Sequence, residues 1–477
     1  MMGTKSYQEK IFYNFSLSEK IPENHLLRRL DKVVDLRFVR NLVADKYSYT
    51  GQHSIAPEVI FKMMLVGYLY GITSERRLAE DISLNMAYMW YLGYDLDETT
   101  PNHSVISKAR SRYGKDVFEE FFRKILQKCL EAGLISGEKI FADSTIIRAD
   151  ASLKSIGLRP EAVKPPYLVK EYIEKVFAEN PLEQEADQPE KPADAKKETG
   201  FSNKTHVSRT DPEASIVSHG QKLPMQLGYK EHFTVDSKAR VITAVLTTPA
   251  AVGDEAMLAG LISRQPVPVR EIGADSKYGT FDNYQLLLKN NIRPAIPPWL
   301  ASPPSKGHFV QNKFNYDHKT DTYTCPTGKT LKHSGDPVRN SRWTYYAKKR
   351  DCNHCSIRSQ CISPTLQKRR VYRHIFHDAR DKALAYLETE QAKAVLYERK
   401  MYAEWVNAES KTRHGLRRAM FRGLKKVSIQ VLMTATVQNI KRLVKYNAEI
   451  APNIRNKAGQ FLAIVKLRWE AGVVAFA

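Results

Sequence analysis

The hydrophobic pattern of the first part of the chain predicts helices. Residues 58–70 are almost wholly apolar, which is typical of a buried helix. Thr73 and Ser74 can cap a shorter amphipathic helix, ERRLAEDISLN, and another helix is predicted to begin near Pro101. We therefore predict an all-α domain over residues 1–135.

After this domain the periodicity becomes that of strands. The strand-like runs are residues 139–145, 231–236, 240–249 and 267–274. The second and third are joined by a short turn and predict a hairpin, while the first and the fourth each end on an acid, Asp143 and Asp275. A helix is predicted over residues 281–290. Antiparallel strands followed by a strand–helix unit predict a mixed sheet with helices on its faces.

The segment 396–444 pairs a helical face of mixed charge with a basic run. Its first half is predicted to be helical, and spacings of i, i+3, i+7 and i+14 put four residues on one face: Tyr397, Lys400, Glu404 and Lys411. The cations that follow are Arg413, Arg417, Arg418, Arg422, Lys425 and Lys426. This arrangement suits a protein that holds an acid against a polyanion.

The composition narrows the class of partner. The chain of 477 residues carries a formal net charge of +22, and 42% of its residues are hydrophobic. It can therefore bury more than one core, and its charge predicts a nucleic-acid partner, with a membrane surface as the weaker alternative. No run of about 18 apolar residues and no signal-peptide pattern is found. We expect a cytoplasmic, nucleoid-associated protein with reduced cysteines and no membrane partner.

The helical domain is a candidate reader of DNA. Two short helices, a break and a third helix are compatible with a helix-turn-helix arrangement. The third helix is predicted to expose Ser107, Lys108, Arg110 and Arg112. An ordinary helical bundle with a basic face is the alternative.

A polar segment interrupts the strands. Residues 181–199 are rich in Glu, Asp, Lys, Ala and Pro and nearly devoid of large apolar side chains. Such a composition cannot bury a core, so a mobile insert is predicted at about 176–200.

Four cysteines lie close together after Asp275. They are Cys325, Cys352, Cys355 and Cys361. The sequence CPTGK resembles a knuckle turn, and C-x-x-C is the spacing that places two thiolates on one metal ion. Reduced thiolates suit a structural Zn²⁺ site, in which His354 could replace one ligand; a small hairpin with free thiols is the alternative. Cys129 is predicted to be plain core.

Three acids are candidates for a catalytic metal site. Asp143, Asp275 and Glu404 are hard oxygen donors of the kind that Mg²⁺ accepts, and two such ions can cleave a phosphodiester. An acid after a strand is, however, often only a turn former or a helix cap. The acids with the same superficial claim are Asp150, Asp211, Asp236, Asp254 and Glu409. Composition and spacing alone therefore predict a metal-dependent nucleic-acid enzyme without choosing its acids.

Several ordered segments resemble bacterial insertion-sequence transposases of the DDE type. These segments are KIFADSTIIRADAS, SRTDPEA, GYKEHFTVDSKARVITAVLTTPAAVGDEAML, EIGADSKYGTFDNY and EWVNAESKTRHGLRRAMFRGLKKVSIQVLMTATVQNIKRL. The resemblance extends over most of residues 55–445. The cysteine segment resembles the insert of one branch of that family, which also has an N-terminal helical domain.

The resemblance implies particular roles for particular residues. The family's two aspartates fall on Asp143 and Asp275, and its pattern Tyr-x2-Arg-x3-Glu-x6-Lys selects Glu404 rather than Glu409. Lys400 stands where the family has Arg, and lysine cannot form the bidentate fork to phosphate. The residues implied to contact DNA are Tyr397, Lys400, Lys411, Arg413, Arg417, Arg418 and Arg422. His232 and His414 are expected to be structural.

The resemblance also implies an α/β fold with a ribonuclease-H-like core, a mixed five-stranded sheet flanked by helices. The predicted organisation is a helical DNA-binding domain (1–135), the first part of the catalytic core (136–320), a zinc-ribbon-like insert (321–370), the second part of the core with the Glu helix (371–450), and a C-terminal tail (451–477).

The resulting hypothesis is a transposase that mobilises its own insertion sequence. It would bind the terminal inverted repeats of double-stranded DNA, cleave each end with two Mg²⁺ or Mn²⁺ ions, and join the 3′ end to target DNA, working as a homodimer on paired ends. One alternative is a transposase-derived DNA-binding protein without catalytic activity. A second is a host-type nuclease that does not transfer strands.

Overall fold

The chain folds as a mixed α/β protein with a helical N-terminal region. The computed structural model describes residues 14–48, 50, 52–160, 202–218, 225–299, 313–333, 341–363 and 365–447. The predicted insert at 176–200 and the predicted tail at 451–477 lie outside these ranges. Within them, no helix combines the length and the apolar character needed to cross a membrane.

The N-terminal region is helical, as the sequence predicts. Its helices are α1 (Leu17–Lys20), α2 (Leu26–Val33), α3 (Phe38–Val43), α4 (Pro57–Tyr70), α5 (Glu75–Leu84), α6 (Met86–Leu92) and α7 (Ser104–Glu131). The predicted cap of α5 is present, because the Ser74 hydroxyl accepts a hydrogen bond from the Arg77 amide. α7 contains a break at Gly114, whose φ of 72° and ψ of 176° interrupt the helix.

Aromatic packing joins these helices. The Phe61 ring of α4 lies 4.6 Å from the Phe121 ring and 5.5 Å from the Phe118 ring, both on α7. All three rings are fully buried. Burial of each contributes roughly 2–3 kcal/mol to the hydrophobic stabilisation. The predicted apolar helix at 58–70 is therefore the centre of the N-terminal core.

A mixed sheet follows the helical region. Its strands are β1 (Lys139–Arg148), β4 (Ser215–Val217), β5 (Gln226–Asp236), β6 (Ile242–Pro249), β7 (Glu271–Gly273) and β8 (Arg293–Ala295), while β2 (Ile156–Leu158) and β3 (His206–Ser208) pair separately. β1 pairs antiparallel with β5 and parallel with β7, β5 pairs with both β4 and β6, and β8 pairs with β7. The predicted hairpin is β5–β6. Helices α8 (Leu258–Ile262) and α9 (Phe281–Lys289) follow β6 and β7.

The first strand is longer than the sequence predicts. β1 continues to Arg148 and is paired with β5 over nearly its whole length, and Asp143 lies opposite Phe233 in the middle of this ladder. Asp143 therefore lies inside a strand, whereas the sequence predicted that the strand would end at this residue. After it, buried Thr145 and Ile147 alternate with the less buried Ser144, Ile146 and Arg148, so the strand pattern extends through these residues.

The cysteine-bearing region forms a second sheet. Its strands run in chain order across the sheet and are β9 (Asn315–Asp317), β10 (Thr322–Thr324), β11 (Thr330–His333), β12 (Arg342–Tyr346) and β13 (Arg370–His374). The short helices α10 (Lys349–Asn353) and α11 (Arg358–Cys361) lie between the last two strands. This antiparallel sheet extends from residue 315 to residue 374, so it is longer than the ribbon that the sequence predicts at 321–370.

Three helices complete the described chain: α12 (His377–Leu387), α13 (Glu390–Arg413) and α14 (Leu424–Lys445). α14 is buried on almost every side and packs against both α7 and β6. The Asn439 side chain forms two hydrogen bonds with the backbone of Ile242, of 2.8 and 2.9 Å. α14 therefore ties the helical region to the mixed sheet.

The end of α13 meets the end of α4 at a glycine. Gly71 adopts a φ of +68°, and a Cβ at this position would lie 2.6 Å from the Arg413 carbonyl oxygen. We expect Gly71→Ala to lower the free energy of unfolding by about 1–3 kcal/mol more than Gly93→Ala does. Gly93 is the matched control, because its φ is +85° but its Cβ would meet nothing within 4 Å. Denaturant unfolding measures both, and equal losses would refute the contact at Arg413.

Candidate active site

Asp143 is held between the mixed sheet and α13. One carboxylate oxygen accepts a hydrogen bond of 2.8 Å from the Arg399 guanidinium, and the other accepts one of 3.1 Å from the Asn407 amide. The Asp143 side chain is 16% exposed. Both partners lie on the face of α13 that packs against β1, because residues eight positions apart project from similar sides of a helix.

Asp275 lies at the end of the neighbouring parallel strand. It follows β7 by two residues, and its carboxylate accepts a hydrogen bond of 3.1 Å from the Lys277 amide. β1 and β7 run in the same direction, so Asp143 and Asp275 reach the same edge of the sheet. Burial raises the pKa of Asp143, Arg399 lowers it, and the negative charges of Asp275 and Asp254 raise it again. These carboxylates are thus close enough to act on one another.

Glu404 is exposed on α13. It lies one helical turn before Asn407, whose side chain contacts Asp143. The hydrogen bonds from α13 to the Asp143 carboxylate come from Arg399 and Asn407, not from Glu404.

Glu409, the competing acid, is buried in an ion cluster. Its carboxylate pairs with Lys441 and Arg442 of α14, and His414 lies 3.5 Å away. Burial raises the pKa of Glu409, but hydrogen bonds from His414 and Arg442 and the nearby positive charges hold it well below its usual range. His414 is itself buried and its Nδ1 donates to the Tyr68 carbonyl oxygen. Glu409 is therefore occupied in holding α13 to α14, which favours Glu404 for the site.

A buried acid that the sequence did not single out lies near Asp143. Glu231 of β5 is fully buried, and neither of its carboxylate oxygens has a hydrogen-bond partner in the described part of the chain. The pKa of Glu231 is raised to about 8, mainly by burial. The positive charge of Lys411 lowers this pKa, and the negative charge of Asp143 raises it. Burial likewise lowers the pKa of Lys411, which faces Glu231. The only signal in the sequence is a charged residue inside an apolar strand.

Arg399 is the second residue that sequence reasoning missed. The family pattern directed attention to Lys400, which is exposed, whereas the guanidinium that reaches Asp143 belongs to the preceding residue. Its position four residues before buried Ala403 and eight before Asn407 is the signal that could have identified it.

The basic residues after α13 line an open groove. A cavity of about 570 Å³ is bordered by Arg148, Lys154, Arg418 and Arg422 together with Asp150. Asp150 pairs with Arg418 at 2.6 Å and with Arg422 at 3.2 Å. Other predicted DNA contacts, Tyr397, Lys400, Arg413 and Arg417, are exposed, and Lys411 is half-buried.

The helix predicted to face DNA differs from expectation at one residue. Ser107, Lys108 and Arg112 are exposed, but Arg110 is only 6% exposed. The Arg110 guanidinium pairs with Glu75 and lies 3.9 Å from the centre of the Phe421 ring. The prediction that Arg110 is exposed was wrong, because the segment after α13 covers this face of α7.

The four clustered cysteines come close together. Burial raises the pKa of Cys361, Arg369 lowers it, and Cys352, Cys355 and Cys325 raise it further. Cys325 lies in the β10–β11 turn, where its sulfur accepts a hydrogen bond of 3.3 Å from the Lys329 amide. Cys129 is buried in the core, separate from this cluster. In the described ranges, no group of three or more His, Cys, Asp or Glu side chains is arranged to hold a metal ion.

Two family models match the chain. A transposase domain (DUF772) matches residues 15–112, the helical region, and a transposase DDE domain matches residues 324–444. The second range contains Glu404 and the four cysteines, while Asp143 and Asp275 lie between the two ranges. No curated protein and no solved structure matches the chain significantly.

The two acids of α13 should respond differently to neutralisation. We expect Glu409→Gln to lower the free energy of unfolding by about 3 kcal/mol, because it leaves Lys441 and Arg442 beside a buried site without a counter-charge. Glu404→Gln should change it by less than about 0.5 kcal/mol, since this side chain is exposed. Denaturant unfolding monitored by circular dichroism measures both variants. A larger loss in Glu404→Gln would overturn this division of roles.

Proposed function

We propose that this chain, which matches a transposase domain and a transposase DDE domain, is an insertion-sequence transposase of the DDE type that binds the terminal inverted repeats of its element, cleaves a phosphodiester at each end and transfers the freed 3′ end to target DNA. The observation that carries the proposal is the meeting of Asp143 and Asp275 at one sheet edge, under the helix that bears Glu404. The order of the paired strands supports a ribonuclease-H-like core, since β6, β5, β1, β7 and β8 form a mixed sheet flanked by helices, to which β4 adds a sixth strand.

Asp143, Asp275 and Glu404 would hold two Mg²⁺ or Mn²⁺ ions. The donor set fits, because three carboxylates offer hard oxygens and the two aspartates carry like charges that a cation would relieve. Bound divalent ions would supply activation of the attacking oxygen and stabilisation of the leaving oxygen. Arg399 already offers Asp143 a positive charge and fixes the direction of its carboxylate.

The basic residues on and after α13 would bind the DNA backbone. Tyr397 and Lys400 are exposed within two turns of Glu404, so they can reach a phosphate at the cleavage site. Lys411 lies behind them, close to Glu231 and Asp143. Arg413 and Arg417 are exposed as well, and Arg418 and Arg422 border the groove that contains Asp150. Such contacts bind without regard to sequence and weaken as salt is added.

The helical region would contact the terminal repeat through its exposed polar residues, Ser107, Lys108 and Arg112. Paired ends need two catalytic centres, so a homodimer on the DNA is part of the proposal.

The test is nicking of a labelled duplex that carries the DNA flanking this reading frame, with Mg²⁺ or Mn²⁺. The wild type should nick at the repeat boundary. Asp143→Asn and Glu404→Gln should bind the duplex equally well but nick about a thousandfold more slowly, because several kcal/mol of transition-state stabilisation are lost. Glu390→Gln is the matched control, an exposed acid at the start of the same helix, and it should nick as the wild type does.

Other outcomes have definite meanings. Tight binding of the repeat without nicking under either metal would identify a DNA-binding protein without catalytic activity. Equal nicking by the wild type and Glu404→Gln would exclude Glu404 as a ligand. Nicking without joining of a pre-cut 3′-hydroxyl end would indicate a nuclease that does not transfer strands.

We also propose that Cys325, Cys352, Cys355 and Cys361 hold a structural Zn²⁺ ion. The support is the packing of Cys325, Cys352 and Cys361 against one small core, together with the backbone N–H that donates to the Cys325 sulfur. When bound, zinc would hold α10 and α11 against the β10–β11 turn.

Zinc analysis of the purified protein tests this site. We expect about one ion per chain in the wild type and none in a Cys352→Ser/Cys355→Ser variant. Cys129→Ala should keep its zinc, since Cys129 lies in a different core. Absence of zinc from wild-type protein refolded with excess Zn²⁺ would refute the proposal.

A further inference from the structure

A buried acid on a third segment lies next to both catalytic aspartates. Asp254 follows β6 and precedes the short 3₁₀ turn at Glu255–Met257. It is 2% exposed as a whole residue and acts electrostatically on Asp143. In the sequence it was one of several acids that nothing distinguished.

The contacts of Asp254 go to three polar side chains. Lys230 lies 3.0 Å and His232 3.5 Å from one carboxylate oxygen, and Lys277 lies 3.2 Å from the other. Burial raises the pKa of Asp254, but Lys230 and His232 lower it below its usual value. The side chain is therefore a carboxylate with a lysine ammonium beside each of its oxygens.

These partners lead to the segments that carry the catalytic aspartates. His232 lies opposite Ser144, the residue after Asp143, in the β1–β5 ladder, and Lys277 is two residues after Asp275. The Lys277 amide also donates to the Asp275 carboxylate, so its side chain and its backbone hold two different acids. One carboxylate thus joins β5, the strand paired with β1 at Asp143, to the loop of the second aspartate.

We propose that Asp254 is a positioning residue of the active centre, which fixes the separation of Asp143 and Asp275 by holding Lys277 against Lys230 and His232 of β5, the strand paired with β1. This inference rests on the proposed function, because it concerns the same two metal-holding aspartates. Groups that orient metal ligands commonly change metal affinity by about 10–100-fold when they are removed. A purely structural acid in this cluster would change stability without changing metal affinity.

The first test is Mn²⁺ binding to the DNA-free protein, measured by electron paramagnetic resonance of the unbound ion. Asp143→Asn removes a proposed metal ligand, so it shows how far the Kd for Mn²⁺ rises when the site is lost. Asp254→Asn keeps the shape of the side chain and should raise the Kd for Mn²⁺ by about 10-fold or more. Asp211→Asn is the matched control, a buried acid whose carboxylate accepts hydrogen bonds from Tyr229 and from the Gly423 amide, and it should leave the Kd unchanged because these are not the partners of Asp254.

Lys277→Gln separates positioning from charge alone. Loss of a positive charge near two aspartates would by itself tighten Mn²⁺ binding, whereas loss of the link to Asp254 should weaken it. The side chain of Lys277 is 52% exposed, so this variant remains informative even if Asp254→Asn fails to fold. A raised Kd in Lys277→Gln supports the proposal, and an unchanged or lowered Kd overturns it.

Different results would refute the proposed metal site and the proposed role of Asp254. If wild-type protein and Asp143→Asn bind Mn²⁺ equally, the metal site of the proposed function is wrong. If Asp143→Asn loses binding while Asp254→Asn and Lys277→Gln keep it, only the role of Asp254 is refuted. Nicking measured over a range of Mg²⁺ concentrations should follow the same order as the Mn²⁺ affinities.

Discussion

Repulsion between carboxylates is the constraint around which the mixed sheet and its helices are arranged. Asp143 and Asp275 approach one another at the edge of β1 and β7, and Asp254 lies beside them. Charges that are largely withdrawn from water interact strongly, so such a group is stable only if cations and hydrogen-bond donors surround it. Arg399 and Asn407 supply these from α13, and Lys277 and Lys230 supply them from the sheet side.

The position of α13 depends in turn on α14. Glu409 ties the end of α13 to Lys441 and Arg442, and Asn439 ties α14 to the backbone of β6. The same stretch meets the helical N-terminal region, where His414 donates to the Tyr68 carbonyl oxygen and Arg110 lies against Phe421. The position of the helix that bears Glu404 thus depends on contacts with α14 and with the helical N-terminal region.

The sequence predicted those elements whose formation depends mainly on residues close together in the chain. The buried helix α4, the β5–β6 hairpin and the helix after Asp275 follow from periodicity, caps and turn residues. The contacts that define the site are of another kind, since 256 residues separate Asp143 from Arg399. Arg110 was expected to be exposed because its own helix is amphipathic, but the residue that covers it lies far along the chain. The burial of Glu231 and Asp254 could not be predicted either, because it depends on which elements pack around these acids.

The order of the elements along the chain has a consequence for synthesis. Chains emerge from the ribosome from the N-terminus and fold by units as they do so. β1, β5 and β7 can pair while the second sheet is still being made, yet Asp143 meets Arg399 and Asn407 only after α13 has emerged. A nascent or prematurely terminated chain therefore carries the two aspartates without the helix that completes their surroundings. The surroundings of Asp143 are thus completed late in translation, once most of the polypeptide has been made.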